Sequence, residues 1–192
     1  MKKFGSDIDL DFGDRDKALS VLRHIPAGII RNNVLTRHNT GVYVTSAPTD
    51  LYSGACSLDY KQAEQRGYVK IDFLNVSVYS QIKDDAHLTA LLTKEPDWAR
   101  LYDEEFCNKL IHINGHYTTL LQFPEPVDSI PRLAMFIAAI RPAKRHLIGN
   151  TWQEVAKTIW EKPTDGSYGF KMAHSISYAH LIVVHLNLLC EQ

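Results

Sequence analysis

Strand-type patterning in this chain is confined to its first 74 residues, and the remainder is patterned for helices; no other feature narrows the possible folds as far. Ile8-Asp9-Leu10-Asp11-Phe12 alternates apolar and acidic residues with the strand period of two, and Gly13 closes it. Gly41-Val42-Tyr43-Val44-Thr45 and Tyr68-Val69-Lys70-Ile71-Asp72-Phe73-Leu74 are rich in β-branched and aromatic residues and predict two more strands. Asp14 to His24, with Ala18, Leu19 and Leu22 on one face, predicts a helix stopped by Pro26 and Gly28, and Tyr60 to Gln65 a short helix ended by Gly67. Further on, Val78, Ile82, Leu88 and Leu91-Leu92 suggest one helix, and Trp98 to Phe106 a second that carries an acidic cluster. Pro131 falls in the first turn of an apolar helix to Ile140, with Asp128 or Ser129 as its cap. Thr151 to Trp160 and Lys171 to Leu189, the latter after Asp165-Gly166, complete the helical set. The segregation predicts an α+β protein: a small mixed sheet in residues 1–75, then a mostly helical region over 76–192, together one compact unit.

Composition excludes several classes. The 192 residues are 45% hydrophobic and 22% charged, which rules out disordered and collagen-like chains and leaves room for a real core. No uninterrupted apolar run reaches the ~20 residues of a membrane span, and Met1-Lys2-Lys3 leads into Asp7, Asp9 and Asp11 where a signal peptide would be apolar. A soluble cytoplasmic protein with no membrane partner is expected. Cys56, Cys107 and Cys190 are odd in number and lack CxxC spacing, so reduced thiols are expected rather than disulfides or structural zinc. The balance of 21 basic against 22 acidic side chains means that any nucleic-acid contact must be local. Residues 13–45 hold Arg15, Lys17, Arg23, Arg31 and Arg37 against Asp14 and Asp16.

The sharpest chemical feature is Asp9-Leu10-Asp11 inside a strand. Residues two apart on a strand share a face about 6 to 7 Å apart, so both carboxylates can ligate a shared pair of divalent cations. Two ions about 4 Å apart hold the attacking and leaving oxygens in phosphoryl transfer. The plainer alternative is that Asp7, Asp9 and Asp11 form the solvent face of an edge strand. Asp72 shifts the balance, because an unpaired carboxylate between Ile71 and Phe73 would be costly to bury, and a third ligand on a neighbouring strand would account for it. Lys70 shares its face and could instead neutralise Asp72, or hold a triphosphate.

These segments carry a resemblance. Asp7 to Phe12 together with Tyr68 to Leu74 resembles the palm of the bacterial DNA polymerase III α subunit, the C-family replicative polymerases. In the same order along the chain, His38-Asn39-Thr40-Gly41-Val42-Tyr43-Val44 resembles that family's His-x-x-Gly-Val-x-hydrophobic segment, and Leu58-Asp59-Tyr60 its aspartate-containing approach to the third carboxylate strand. Leu121-Gln122-Phe123 and Ala138-Ala139-Ile140-Arg141-Pro142 resemble segments of the fingers, and Tyr168 to Ala179 resembles the family's Tyr-x-Phe-Asn-Lys-Ser-His-Ala-x-x-Tyr-Ala helix.

The resemblance implies a polymerase β-like palm followed by a fingers-like lobe. It assigns Asp9, Asp11 and Asp72 to two Mg2+ ions, and places Lys70, Arg141, Lys144, Arg145, Lys171 and His174 near the phosphates of a nucleoside triphosphate, where cations offset charge on the leaving pyrophosphate. It implies nucleotidyl transfer to a DNA 3′ end in DNA replication, with replisome proteins as further partners. Taken alone, Arg141, Lys144 and Arg145 are ordinary cations after a helix. The resemblance has gaps. Positions 12 to 37 leave 26 residues between Asp11 and His38, too few for the family's helical thumb, and its phosphoesterase-like and C-terminal modules have no counterpart. Gly5-Ser6 lacks the elements that separate the family's Gly-Ser turn from its aspartates, Ala143 stands where the family has glycine, and Met172-Ala173 replaces the serine before His174. Such a reduced arrangement suits a bacteriophage or mobile element. The alternative expectation is a catalytically inactive mimic of the polymerase core that binds DNA or a replisome partner.

Overall fold

The computed structural model describes residues 8–163, 167 and 169–191; Asp7, Asp165-Gly166 and Tyr168, which carry parts of the sequence expectation, lie outside them. The chain is α+β and divides into two units, Met1–Lys83 and Asp84–Gln192.

The first unit runs β1 (Ile8–Phe12), α1 (Arg15–Ser20), β2 (Ile25–Arg31), β3 (Val34–Tyr43), α2 (Tyr60–Gln65) and β4 (Ile71–Asn75), then a 3-10 turn over Ser77–Gln81. The sheet order is β1-β4-β3-β2, with β1 parallel to β4 and the other two pairs antiparallel. The Asp14 side chain accepts from the Lys17 N–H and starts α1, a cap worth about 1 kcal/mol. Pro26 and Gly28, expected to stop a helix, instead sit inside β2. Pro26 is tolerated because the register with β3 shifts between Pro26 and Gly28, where a missing N–H breaks no regular ladder. Gly28 is required because a Cβ there would come 2.5 Å from the Leu58 carbonyl oxygen and 2.6 Å from that of Cys56. Asn32 and Asn33, both left-handed, join β2 to β3 between the paired Arg31 and Val34, which is the geometry of a two-residue hairpin turn. The third strand begins at Ile71 rather than Tyr68.

One sheet face packs Val42 and Phe73 against Leu19 of α1, with the Phe12 and Phe73 rings stacked 4.9 Å apart. Strand alternation puts Tyr43 on the opposite face, where it packs with Ala27, Cys56 and Ala63. Asp59 fastens α2 there: one carboxylate oxygen accepts from Lys61 N–H at 2.9 Å and the other from Ile30 N–H at 3.0 Å.

The second unit contains α3 (Asp85–Thr93), the single turns α4 (Glu104–Cys107) and α5 (Tyr117–Leu120), α6 (Ile130–Ala139), α7 (Trp152–Thr158) and α8 (Met172–Leu189). The helix expected from Val78 to Leu92 is broken: Asp84 is extended and its side chain caps α3 through His87 N–H, so only the second half is α-helical. Trp98–Tyr102 is likewise 3-10, ahead of α4. A continuous apolar core runs from Leu101 through α6 to Leu186 of α8. Polar residues fix α8 within it. Asn187 donates to the Leu91 and Lys94 carbonyls at 2.9 Å each, satisfying the end of α3, and His185 Nδ1 accepts from Ile111 N–H at 3.1 Å. This helix meets the length and hydropathy of a spanning segment, and 56% of it is buried; the core helix of a water-soluble protein has the same composition. Cys56 and Cys107 are buried free thiols, and Cys190 is an exposed one.

Candidate functional site

β1 and β4 bring the three aspartates of the sequence expectation to one face of the sheet. The parallel register places Asp9 directly across from Asp72, and Asp11, two residues along β1, shares that face. Asp9 and Asp11 lie on an exposed edge strand, whereas the Asp72 side chain is 14% exposed.

Asp72 is held from both sides. Its Oδ1 accepts from Thr40 Oγ1 at 2.6 Å, and its Oδ2 pairs with the Lys70 ammonium. Of the two roles open to Lys70, neutralising Asp72 is the one this geometry shows. The pairing depends on Gly41, the register partner of Asp72: a Cβ at that position would come 2.7 Å from Lys70 Cδ and 3.0 Å from His38 Nδ1. The Lys70 ammonium also lies 5.8 Å from the centre of the Tyr60 ring, which meets His38 edge-on at 5.5 Å. His38 Nδ1 stands 3.7 Å from Asp72 Oδ1, but it accepts the Gly41 N–H at 2.9 Å and so has no proton for the carboxylate. Burial, reinforced by the Lys70 charge, lowers the His38 pKa and keeps the ring neutral. The contact is packing around Asp72 and not an ion pair.

The Asp11 carboxyl is raised above the ordinary carboxylate range, first by partial desolvation and then by the Asp9 charge. Tyr79, in the 3-10 turn after β4, is raised in the same way, by burial and then by Asp11. Three oxygen-donor side chains on one face are the donor set that a hard divalent cation takes, and the like-charge strain between Asp9 and Asp11 is what such a cation relieves. Among the described residues no group of three or more His, Cys, Asp or Glu side chains is gathered closely enough to hold a metal ion. The carboxylates are thus aligned by register, with Asp72 engaged by Lys70 and Thr40.

The five remaining cations of the expectation belong to the second unit. The Arg141 guanidinium lies 4.2 Å over the centre of the Phe170 ring. Lys144 is buried and donates to the Thr158 carbonyl at 2.5 Å, and Arg145 Nε donates to the Ile140 carbonyl at 3.4 Å. Lys171 is the residue before α8 and His174 lies in its first turn, so the two do not share a helix face as i and i+3 residues. Lys144 and Lys171 line one cavity of about 550 Å³ with Trp160, Lys162 and Phe170. Lys144 is thus committed to a carbonyl, while the exposed Lys171 faces that cavity. His112, whose ring packs on Tyr178 at 4.3 Å, is pushed down to about 4 by burial and by Arg141.

Thr40, His38 and Tyr60 complete the surroundings of Asp72 without having been assigned roles from sequence. Their signal was present in the His38-x-Thr40-Gly41 segment, where polar residues lead into an apolar strand.

The chain was compared with family models, with curated proteins and with solved structures, and none matches.

Proposed function

We propose that this chain is a C-family DNA polymerase III α-like nucleotidyltransferase, with palm-like and fingers-like regions, that transfers a nucleotidyl group from a nucleoside triphosphate to a DNA 3′ end in the cytoplasm and releases pyrophosphate. The observation that carries the reading is the register of Asp9 against Asp72, with Asp11 on the same face. When bound, two Mg2+ ions would supply charge neutralisation for the attacking and leaving oxygens. Asp9, Asp11 and Asp72 would hold these ions. Lys70 alternates between Asp72 and the incoming triphosphate. The resemblance would assign Arg141, Arg145, Lys171 and His174 of the second unit to phosphate contacts, while Lys144, which it would also assign there, is bound to the Thr158 carbonyl. Replisome proteins are further partners in this reading.

Magnesium-dependent primer extension or terminal addition by the purified protein tests it, with Asp9→Ala and Asp72→Ala as controls. Incorporation by wild type and none by either variant supports the reading; equal incorporation by all three removes it.

A second reading, a catalytically inactive polymerase mimic that binds DNA or a replisome partner, is favoured by the Lys70 and Thr40 bonds that occupy Asp72. Calorimetric titration with magnesium and a nucleoside triphosphate separates the two, since the mimic takes up neither.

A further inference from the structure

The most exposed large apolar residues among those described are Leu51 and Tyr52, at 97% and 101% exposure. They sit at the tip of a tightly bonded turn between the bridged Thr49 and Cys56. Asp50 organises that turn: its Oδ2 accepts Ser53 N–H at 2.7 Å, its carbonyl accepts Gly54 N–H at 2.9 Å, and its own N–H donates to the Ala55 carbonyl at 2.8 Å. From β3, Arg37 Nε donates to the Ser53 carbonyl at 2.9 Å, and its Nη2 reaches the same oxygen. A fully exposed aromatic ring on a turn with this many internal bonds is preorganised for contact, because little conformational entropy remains to be lost when it binds.

Arg37 also lines a cavity of about 430 Å³ under α1, with Arg15, His24, His38, Ser20 and Asn39. The one acid on its wall, Asp16, lies 3.5 Å from Arg15 and its side chain is 94% exposed. The two imidazoles are fixed in opposite tautomers. His24 Nδ1 donates to the Leu22 carbonyl at 2.9 Å, whereas His38 Nδ1 accepts from Gly41 and leaves its Nε2 as a donor. Ser20 Oγ is spent on the Lys17 carbonyl and Arg15 Nε on that of Phe73, so the cavity offers outer guanidinium, imidazole and amide donors, which together suit a phosphate group. One residue, Arg37, joins that cavity to the turn that displays Tyr52.

We infer that the β2–β3 side of the first unit binds single-stranded nucleic acid, with a backbone phosphate in the Arg15–Arg37 cavity and an unpaired base stacked on Tyr52 beside Leu51. A cationic groove combined with an exposed aromatic face is the combination that holds single strands without regard to sequence. The stretch from residue 13 to 45 supplies the excess of positive charge that this contact requires. The site uses none of Asp9, Asp11 and Asp72 and needs no metal ion, so it stands apart from the nucleotidyl-transfer reading.

Fluorescence anisotropy of a labelled oligothymidylate in EDTA at low salt tests the inference. Wild type binds; Tyr52→Ala weakens binding about 5- to 150-fold, and Tyr52→Phe, which keeps the stacking face, stays within about twofold of wild type. Tyr52 is wholly exposed, so the alanine variant keeps its fold. Arg37→Gln lowers the slope of log affinity against log salt by about 0.7. Asp9→Ala binds as wild type does. A wild-type protein that ignores the oligonucleotide in EDTA, or a Tyr52→Ala variant that binds as tightly as wild type, overturns the inference and leaves the exposed pair to a protein partner. Tight binding in EDTA with no incorporation in magnesium keeps this site and removes the catalytic reading; incorporation unaffected by Tyr52→Ala, with unchanged binding, does the reverse.

Discussion

The two units bury their side chains differently. The first has two small apolar clusters, one around Phe73 and one around Tyr43, divided by the sheet, and its polar residues crowd around Asp72. The second has one continuous apolar core in which polar groups such as Asn187 and Lys144 terminate on backbone carbonyls. Asn187 and Lys144 complete the scaffold of the second unit, while in the first Asp72, Lys70 and Thr40 hold one another in a charged group beside the edge strand β1. The difference teaches where chemistry is available: an ammonium buried against a backbone carbonyl, as in Lys144, is structural, whereas a carboxylate held by one lysine can exchange its partner.

The largest effect expected is on packing. Phe136→Ala, in the centre of the second core, should cost about 5 kcal/mol in denaturant unfolding, and Phe73→Ala, in the smaller cluster, about 3 kcal/mol. Equal losses would break the contrast between the two cores.

Next comes the ion pair. Lys70→Ala leaves Asp72 mostly enclosed with the Thr40 hydroxyl still donating to it, and should destabilise the protein by about 1–3 kcal/mol. The double variant with Asp72→Ala should recover part of that loss in a double-mutant cycle. A cycle with no coupling would mean that Asp72 does not depend on Lys70.

His112 provides the pH dependence. Its folded pKa, about 4, lies below the ordinary 6.5, so the unfolded chain takes up a proton first as the pH falls. Stability from this group is full above pH 6.5 and is lost progressively down to about pH 4. With a discount for the solvent-facing part of the ring, the loss should be about 1–2 kcal/mol. His112→Asn tolerates the positive φ of 66° at this position and should flatten the profile in thermal melts across that window. The smallest effect is that of Asp14→Ala, which removes the α1 cap at about 1 kcal/mol and should leave the second unit's amide exchange unchanged.

The α+β class, β1 and the segments Gly41–Tyr43 of β3 and Ile71–Leu74 of β4 were legible because their patterning is local, whereas Val34–Thr40, the polar greater part of β3, was not, and Val44-Thr45 lie beyond its end. β2 was not, because Pro26 and Gly28 read as helix stops; their reasons are a register shift and the carbonyls of residues 56 and 58, and neither is visible within a short window of sequence. The sharing of one face by Asp9 and Asp11 was legible from the period of two, whereas the Asp9–Asp72 register rests on long-range pairing. Lys144 shows the converse limit: its charge suggested a ligand contact, and only the fold shows that Thr158 takes it.

Manganese titration of the isotopically labelled protein, followed by paramagnetic broadening of its amide resonances, tests the central claim most directly. The account predicts that Asp9, Asp11 and Asp72 lose intensity first and together, at substoichiometric metal. Uniform broadening, or broadening confined to the exposed acidic turn at Glu104 and Glu105, would contradict it.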